Sequence, residues 1–387
     1  MPIRNRFADW QDEITDWRRD IHRHPELLFD THRTAAIVAE RLQSFGCDEV
    51  VTGIGRTGVV GVIRGRSTAS GRVVGLRADM DALPITEATG AAHASEVPGA
   101  MHACGHDGHT AMLLGAARYL AETRNFDGTV VVIFQPAEEG GGGGREMCND
   151  GLMERFGIQE VYGMHNWPGQ PAGSFAIRPG PFFASADHFE IVLTGRGGHA
   201  AKPHETVDAV VMASHMVVAF QSIVARNVDP VAQLVVSVTS VETSSKAFNV
   251  IPQQVTLRGT ARSLTPELRD LAERRITEIA EGTAQMFGGQ AEVRYHRNYP
   301  VMVNHDAETA FAADAARAVA GSCEEAPLIM GGEDFAFMLE ERPGAYILVG
   351  NGKTAPVHHP EYDFNDAAIP AGCSWWVTLA EQRMPAG

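Results

Sequence analysis

Residues 101–109 read Met101-His102-Ala103-Cys104-Gly105-His106-Asp107-Gly108-His109, with three histidines, a cysteine and an aspartate in nine positions. Cys104 and His106 are two apart, so in an extended segment both side chains leave the backbone on the same side, as two donors to one ion must. Gly105 between them lets the chain turn tightly. From His109 the sequence continues Thr-Ala-Met-Leu-Leu-Gly-Ala-Ala-Arg-Tyr-Leu, with its apolar residues at helical spacing. The cluster therefore stands at a strand-to-helix junction, where α/β proteins with mostly parallel sheets place their ligands. The competing account is a helix start with Asp107 as cap and incidental histidines. The segments on either side decide between the two.

Working outward, Arg72-Val-Val-Gly-Leu-Arg-Ala reads as a buried strand ending in Asp79-Met80-Asp81-Ala82-Leu83-Pro84. Asp79 is a candidate to support a site from its second layer, as is Asp107, whereas Asp81 reads as turn chemistry ahead of Pro84. A second strand, Thr129-Val-Val-Val-Ile-Phe-Gln, delivers Glu138 and Glu139 to the same edge. One glutamate of such a pair can bind metal while its neighbour points elsewhere and serves as a base. A solvated acidic turn would not need so apolar a strand to carry it. Residues 140–144 are all glycine but lack the Lys-Ser/Thr of a P-loop, and read as a flexible loop. Glu160-Val-Tyr-Gly-Met brings His165 to the end of a third strand, and Val357-His358-His359-Pro360-Glu361 follows the strand Ala345-Tyr-Ile-Leu-Val. A metal site needs three or four donors, and no single segment holds them.

Composition narrows the class. The chain has 387 residues, 44% hydrophobic and 21% charged, an ordinary globular balance with room for one large or two ordinary domains. A formal charge of −16 and a pI near 5.4 argue against nucleic acid or an anionic membrane as partner. Cys47, Cys104, Cys148, Cys323 and Cys373 are odd in number and scattered, which suits reduced thiols and a cytoplasmic location. The N-terminal residues lack the apolar run of a signal peptide, and no long apolar run suggests a membrane span. Trp10, Ile14, Trp17 and Ile21 fall at helical spacing, and a second helical pattern runs from about Thr34 to Phe45. Between them His22-Arg23-His24-Pro25 reads as a polar loop or substrate-side wall. Gly53-Ile-Gly55-Arg-Thr-Gly58 matches a dinucleotide fingerprint formally, but a strand follows it where phosphate binding requires a helix N-terminus.

Residues 186–296 differ in pattern. Asp187 to Thr194 reads as a strand, Val207 to Ala225 as a helix, Ala232 to Val241 and Gln254 to Thr260 as strands, Pro266 to Met286 as a helix and Ala291 to Tyr295 as a strand. That order, βαββαβ, is ferredoxin-like. The expected organisation is a metal-binding catalytic domain from residues 1–185 and 297–387 with the module 186–296 inserted. Gly195-Arg196-Gly197-Gly198-His199 is expected to open the module's first helix, either as an oxyanion-holding loop or as a glycine-rich hairpin turn.

Taken together, Arg77-Ala-Asp79-Met-Asp-Ala-Leu-Pro, His102-Ala-Cys104-Gly-His106-Asp-Gly-His109, Gln135-Pro-Ala-Glu138-Glu139-Gly, Gly163-Met-His165-Asn, Gly195-Arg-Gly-Gly-His199-Ala and Gly331-Gly-Glu333-Asp334-Phe resemble the bacterial aminoacylase and hippurate hydrolase family. These are peptidase M20-type amidohydrolases, and they include the plant indoleacetyl-amino-acid hydrolases. The resemblance runs from about His22 to Asp366. It implies a zinc-peptidase-like catalytic domain holding two divalent metal ions per subunit, with Cys104, His106, Glu139, His165 and His359 at the ligand positions and Glu138 as general base. It also implies that the inserted module is a dimerisation and lid domain, that His199 reaches the partner subunit's active site, and that Asn249 and Arg262 are substrate-side residues. Wider relatives carry a histidine ligand where this chain has Arg77, and a bridging carboxylate where it has Cys104. Thiolate, imidazole and carboxylate together admit zinc, cobalt, nickel or manganese.

The activity implied is hydrolysis of the amide bond of N-acyl amino acids by a homodimer. A dipeptidase or exopeptidase of the same fold is one rival, and a non-catalytic dimeric metal-binding protein is another. A storage site needs ligands but no base beside them, so Glu138 favours the enzyme. No Gly-x-Ser-x-Gly elbow offers a serine route.

Overall fold

The computed structural model describes residues 5–387; residues 1–4, the start of the segment read as lacking a signal peptide, lie outside them. Two compact units form. The first comprises the described residues up to Gly180 together with Val303–Pro327 and Asp334–Gly387, and the second comprises Pro181–Met302 and Leu328–Glu333.

The first unit is built on an eight-stranded sheet in the order Glu49–Ile54, Gly58–Arg64, Thr129–Gln135, Val73–Asp79, Glu160–Trp167, Gly344–Gly350, Phe175–Ile177 and Glu324–Glu325. The four central strands, from Thr129–Gln135 to Gly344–Gly350, are mutually parallel. Their near-continuous apolar sequences are buried along almost their whole length, as strands covered on both faces require. Register pairs Asp79 with Gln135, so the loops that follow these two strands leave the sheet at one height. The helix His106–Thr123 is almost wholly buried and packs against Gln11–Arg23 and Ile369–Arg383. In the last of these helices Trp375 and Trp376 are buried, and the Cys373 thiol donates to the Met112 carbonyl at 3.2 Å.

Two local expectations change in this unit. The helix Gln11–Arg23 continues through His22, which is therefore a buried helical residue and not part of a polar loop. The glycine run is not a slack loop either, because a helix, Gly143–Asn149, starts inside it. Gly143 lies so close to the Pro136 carbonyl that a Cβ would overlap it, so the glycine answers a steric need.

The second unit is an antiparallel sheet in the order Leu234–Thr243, Gln254–Ser263, Ala186–Thr194, Gln290–Tyr299, with the helices Ala209–Asn227 and Pro266–Met286. This is the βαββαβ arrangement. Its alternating strand residues Phe189, Ile191 and Leu193 pack with Met212, Phe220 and Ile276 of the helices. The first helix starts at Ala209 because the Asp208 carboxylate caps the Val210 and Val211 amides. Gly195–His199 does not open that helix: Gly198–His199 pairs with Val250–Ile251 as a two-stranded ribbon, and a short helical turn, Pro203–Glu205, intervenes. Ala209–Asn227 is the one helix among the described residues long and apolar enough to cross a membrane, and it belongs to this sheet-and-helix layer. Among those residues, no disulfide joins any of the five cysteines.

Candidate metal centre

Five segments of the first unit converge beyond the C-terminal ends of its parallel strands. Gly105, at φ +91°, turns the chain into the helix His106–Thr123, and a Cβ there would overlap the Asn166 amide and the Tyr362 hydroxyl. Asn166 explains the tight fit: its Nδ2 donates to the Cys104 carbonyl at 2.6 Å, and its Oδ1 accepts from Tyr362 at 2.7 Å. The Cys104 sulfur lies 3.3 Å from His165 Nε2. His165 Nδ1 faces the Asn166 carbonyl at 2.6 Å and His106 Nδ1 faces the Asp81 carbonyl at 2.8 Å. In the neutral ring, an Nδ1–H donated to a carbonyl puts the lone pair on Nε2, the tautomer a metal ligand needs and one a bound cation would favour.

His106 Nε2 is 3.9 Å from Glu139 Oε1, and both atoms are buried without a hydrogen bond. Donor atoms of Cys104, His106 and His165 lie within 4.8 Å of one another, as do those of Cys104, Glu139 and His358 and those of His106, Glu138 and Glu139. Cys104 is common to the first two sets. A buried orphan imidazole nitrogen, an orphan carboxylate oxygen and a neighbouring thiol are a donor set that suits divalent metal ions. The titration behaviour agrees. Burial, then the Glu139, Glu138 and Asp79 carboxylates, holds the Cys104 thiol well above its ordinary range. Burial opposes charge on His106, but Asp79, Asp81 and Glu139 outweigh it and raise that imidazole to about 10. Such an excess of negative groups is what a bound cation would neutralise.

The adjacent histidines are resolved differently from the sequence expectation. His358, not His359, turns toward the cluster, with its Nε2 3.3 Å from Glu139 Oε1. The His358 amide donates to the Ala103 carbonyl at 2.7 Å, and its backbone takes the left-handed φ of +66°. His359 instead accepts the Glu361 amide on Nδ1 at 3.1 Å. The reason is one residue of backbone phase, which the left-handed turn reverses.

Asp81 is likewise more than a turn residue. It is 1% exposed, and its two carboxylate oxygens accept the backbone amides of Glu138 and Glu139 at 2.9 and 3.1 Å. Asp79 accepts His109 Nδ1 at 2.6 Å and pairs with Arg77 at 2.8 Å, and Arg77 also binds Gln135 and Asp334. Arg77 thus serves as a buried counter-cation to Asp79 and Asp334. His109 has both ring nitrogens engaged, since Nε2 accepts the Asn166 amide at 2.9 Å, so it orients and does not ligate. Asp107 is buried in the helix's first turn and holds His22 Nδ1 at 2.8 Å and Arg18 at 3.3 Å. Arg18 reaches on to Asp366 and Asp363, fastening this helix start to the C-terminal segment.

Of the residues assigned to substrate, His199 and Asn249 lie together on the ribbon of the second unit, where the Ala200 amide donates to the Asn249 carbonyl at 3.0 Å. Arg262 is on the strand Gln254–Ser263, and burial lowers its pKa. Reasoning from sequence missed Asn166, Tyr362 and Arg18, and it assigned Asp81 to turn chemistry and His22 to a polar loop. Asn166 and Tyr362 each stood beside a residue already singled out, His165 and Glu361.

Residues 75–382 match the model of peptidase family M20/M25/M40, and the chain belongs to this family. It is 42% identical over 380 residues to a hippurate hydrolase of Campylobacter jejuni, covering 97% of each chain. It is 37% identical to an N-acetylcysteine deacetylase of Bacillus subtilis, covering 95% of this chain and 96% of that one. Among solved structures, the Bacillus subtilis YXEP protein, described as a dinuclear metal binding peptidase from the M20 family, superposes with a TM-score of 0.85 at 33% identity. That match covers 98% of this chain and all of the other.

Proposed function

We propose that the protein is a metal-dependent amidohydrolase that cleaves N-acyl amino acids to a carboxylic acid and a free amino acid, with two divalent ions per subunit. The observation that carries this reading is Glu138: a largely buried carboxylate whose oxygen lies within 4.8 Å of the donor atoms of His106 and Glu139. The named activities of the relatives, a hippurate hydrolase and an N-acetylcysteine deacetylase, support the substrate class.

Cys104, His106, Glu139, His165 and His358 would hold the ions, with His358 replacing His359 in the set. When bound, the ions would supply Lewis acidity, lowering the pKa of a water and polarising the amide carbonyl. Glu138 takes the proton from the attacking water and returns it to the departing nitrogen, which an amide requires because an amine anion leaves poorly. Asp81, His109 and Asn166 hold the surrounding groups in place, so the geometry is prepared before substrate arrives. His199 serves the oxyanion from the partner subunit, and Asn249 and Arg262 serve the substrate.

The homodimer is supported by the apolar surface of the second unit. Val210, Val211, Val218 and Val224 of Ala209–Asn227 and Val241 of the edge strand are exposed, Val218 at 72%. A groove of about 240 Å³ runs between them, lined in part by Val210, Ala213, Val217 and Val241. Such a patch is costly to leave in water. The unpaired thiols fit a cytoplasmic location.

The test is a panel of N-acetyl, N-benzoyl and indoleacetyl amino acids assayed with zinc, manganese, cobalt and nickel. Hydrolysis should vanish on chelation and return with metal. Full activity in protein stripped of metal would overturn the reading.

A further inference from the structure

We infer that Asp81 is a positioning residue that locks the tandem glutamates and the His106 imidazole into one frame; this rests on the reading of Glu138 as base and Glu139 as ligand. In an extended strand, successive amides point in opposite directions, so one carboxylate cannot receive two neighbours. Here it does, because Ala137 adopts a left-handed φ of +55° just before the pair. The kink aligns the Glu138 and Glu139 amides toward one point, an anion-binding concavity of the kind that usually receives a ligand's oxyanion. Its occupant is Asp81, with Oδ1 at 2.9 Å from one amide and Oδ2 at 3.1 Å from the other.

The sheet explains why Asp81 reaches that point. Asp79 pairs with Gln135 and the Met80 amide donates to the Gln135 carbonyl at 2.8 Å, so the chain two residues past Asp79 passes beside the turn at Ala137. The same residue accepts His106 Nδ1 on its backbone carbonyl at 2.8 Å. Three hydrogen bonds from one buried residue therefore reach the base, one ligand's backbone and a second ligand's ring. With both amides tied at the backbone, the two glutamate side chains can take different tasks. Only a carboxylate fits this position. An asparagine would turn its NH₂ toward one of the two amides, donor against donor.

The experiment is a cobalt(II) titration of full-length apoprotein, read by the Cys104-to-cobalt absorption band and thermal unfolding, for wild type, Asp81→Asn, Glu139→Gln and the double variant. Asp81→Asn should weaken cobalt binding by about 10- to 100-fold and lower kcat with KM little changed, while the apoprotein still unfolds in one cooperative transition at a somewhat lower midpoint. In the double variant the Asp81 effect should largely disappear, because the ligand it holds has already been lost. Wild-type affinity and kcat in Asp81→Asn, or strictly additive losses in the double variant, would overturn the inference. If Asp81→Asn does not fold, hydrogen exchange of the wild-type Glu138 and Glu139 amides decides: slow exchange supports the lock, and exchange at the rate of an open loop refutes it. Because cobalt binding is read without substrate, a protein that binds cobalt normally but hydrolyses no acyl amino acid would sink the proposed activity and leave this test intact.

Discussion

Replacing Glu138 by glutamine removes a proton acceptor while changing almost nothing else. The backbone amide of residue 138 is held by Asp81 whatever the side chain, and that of residue 139 likewise, so the neighbouring ligand keeps its aim. Glutamine is nearly isosteric but cannot take a proton from water. A positioned general base contributes about 10²- to 10⁴-fold, so kcat should fall by that factor, about 3–5 kcal/mol in the barrier. Glu139→Gln should behave differently. Glu139 Oε1 is 3.9 Å from His106 Nε2 and 3.3 Å from His358 Nε2, so its loss should show first as reduced metal content. Steady-state kinetics on an N-benzoyl amino acid, paired with metal analysis of each purified variant, separates the two. If Glu138→Gln lost metal while Glu139→Gln kept it and lost only turnover, the roles within the pair would be reversed and the reasoning wrong.

His358→Ala should lower metal occupancy and His359→Ala should leave it near wild type; equal occupancy in both variants would remove His358 from the ligand set. For the partner contribution, His199→Ala and Glu138→Gln homodimers should each be inactive, whereas heterodimers carrying one of each should regain one working site. No recovery in verified heterodimers would confine His199 to its own subunit. Burial opposes charge on His22, but Asp107 and Glu87 raise it from 6.5 to about 9, a gap worth about 3 kcal/mol. A raised pKa gives stability that is complete below pH 6.5 and lost as pH rises through about 9. Urea unfolding of apoprotein should therefore show His22→Asn strongly destabilised at pH 6 and much less so at pH 10, and a pH-independent difference would contradict the ion pairing.

What the sequence disclosed follows how locally each feature is encoded. The βαββαβ module was readable because its strands alternate and its helices carry their own caps, Asp208 and Thr265, so each element announces itself within a dozen residues. That Cys104, His106, Glu138, Glu139 and His165 would come together was readable because each sits near where a buried strand ends or a buried helix begins. The choice between His358 and His359 was not readable, since it turns on the sign of one backbone dihedral that the Ala103 carbonyl fixes from far along the chain. Asp81 was hidden for a related reason: its partners are 57 and 58 residues away, and only the register of two parallel strands brings them to it. Arg18 and Asp366 meet across 348 residues, a pairing that no local pattern signals.

The helix Ile369–Arg383 has a consequence for the order in which the protein is made. Trp375, Trp376 and Cys373 complete the packing around the helix that begins at His106, and Asp366 completes the Arg18 network behind it. A nascent chain that has left the ribosome up to residue 302 already holds most of the second unit, a nearly continuous stretch able to collapse early. The first unit has Cys104, His106, Glu138, Glu139 and His165 of the cluster in hand at that moment, yet its core stays open until Asp366 and the helix Ile369–Arg383 emerge. Vectorial synthesis therefore delivers the clustered donor side chains long before it delivers the wall that fixes them, so stable metal capture should wait until the helix Ile369–Arg383 has left the ribosome.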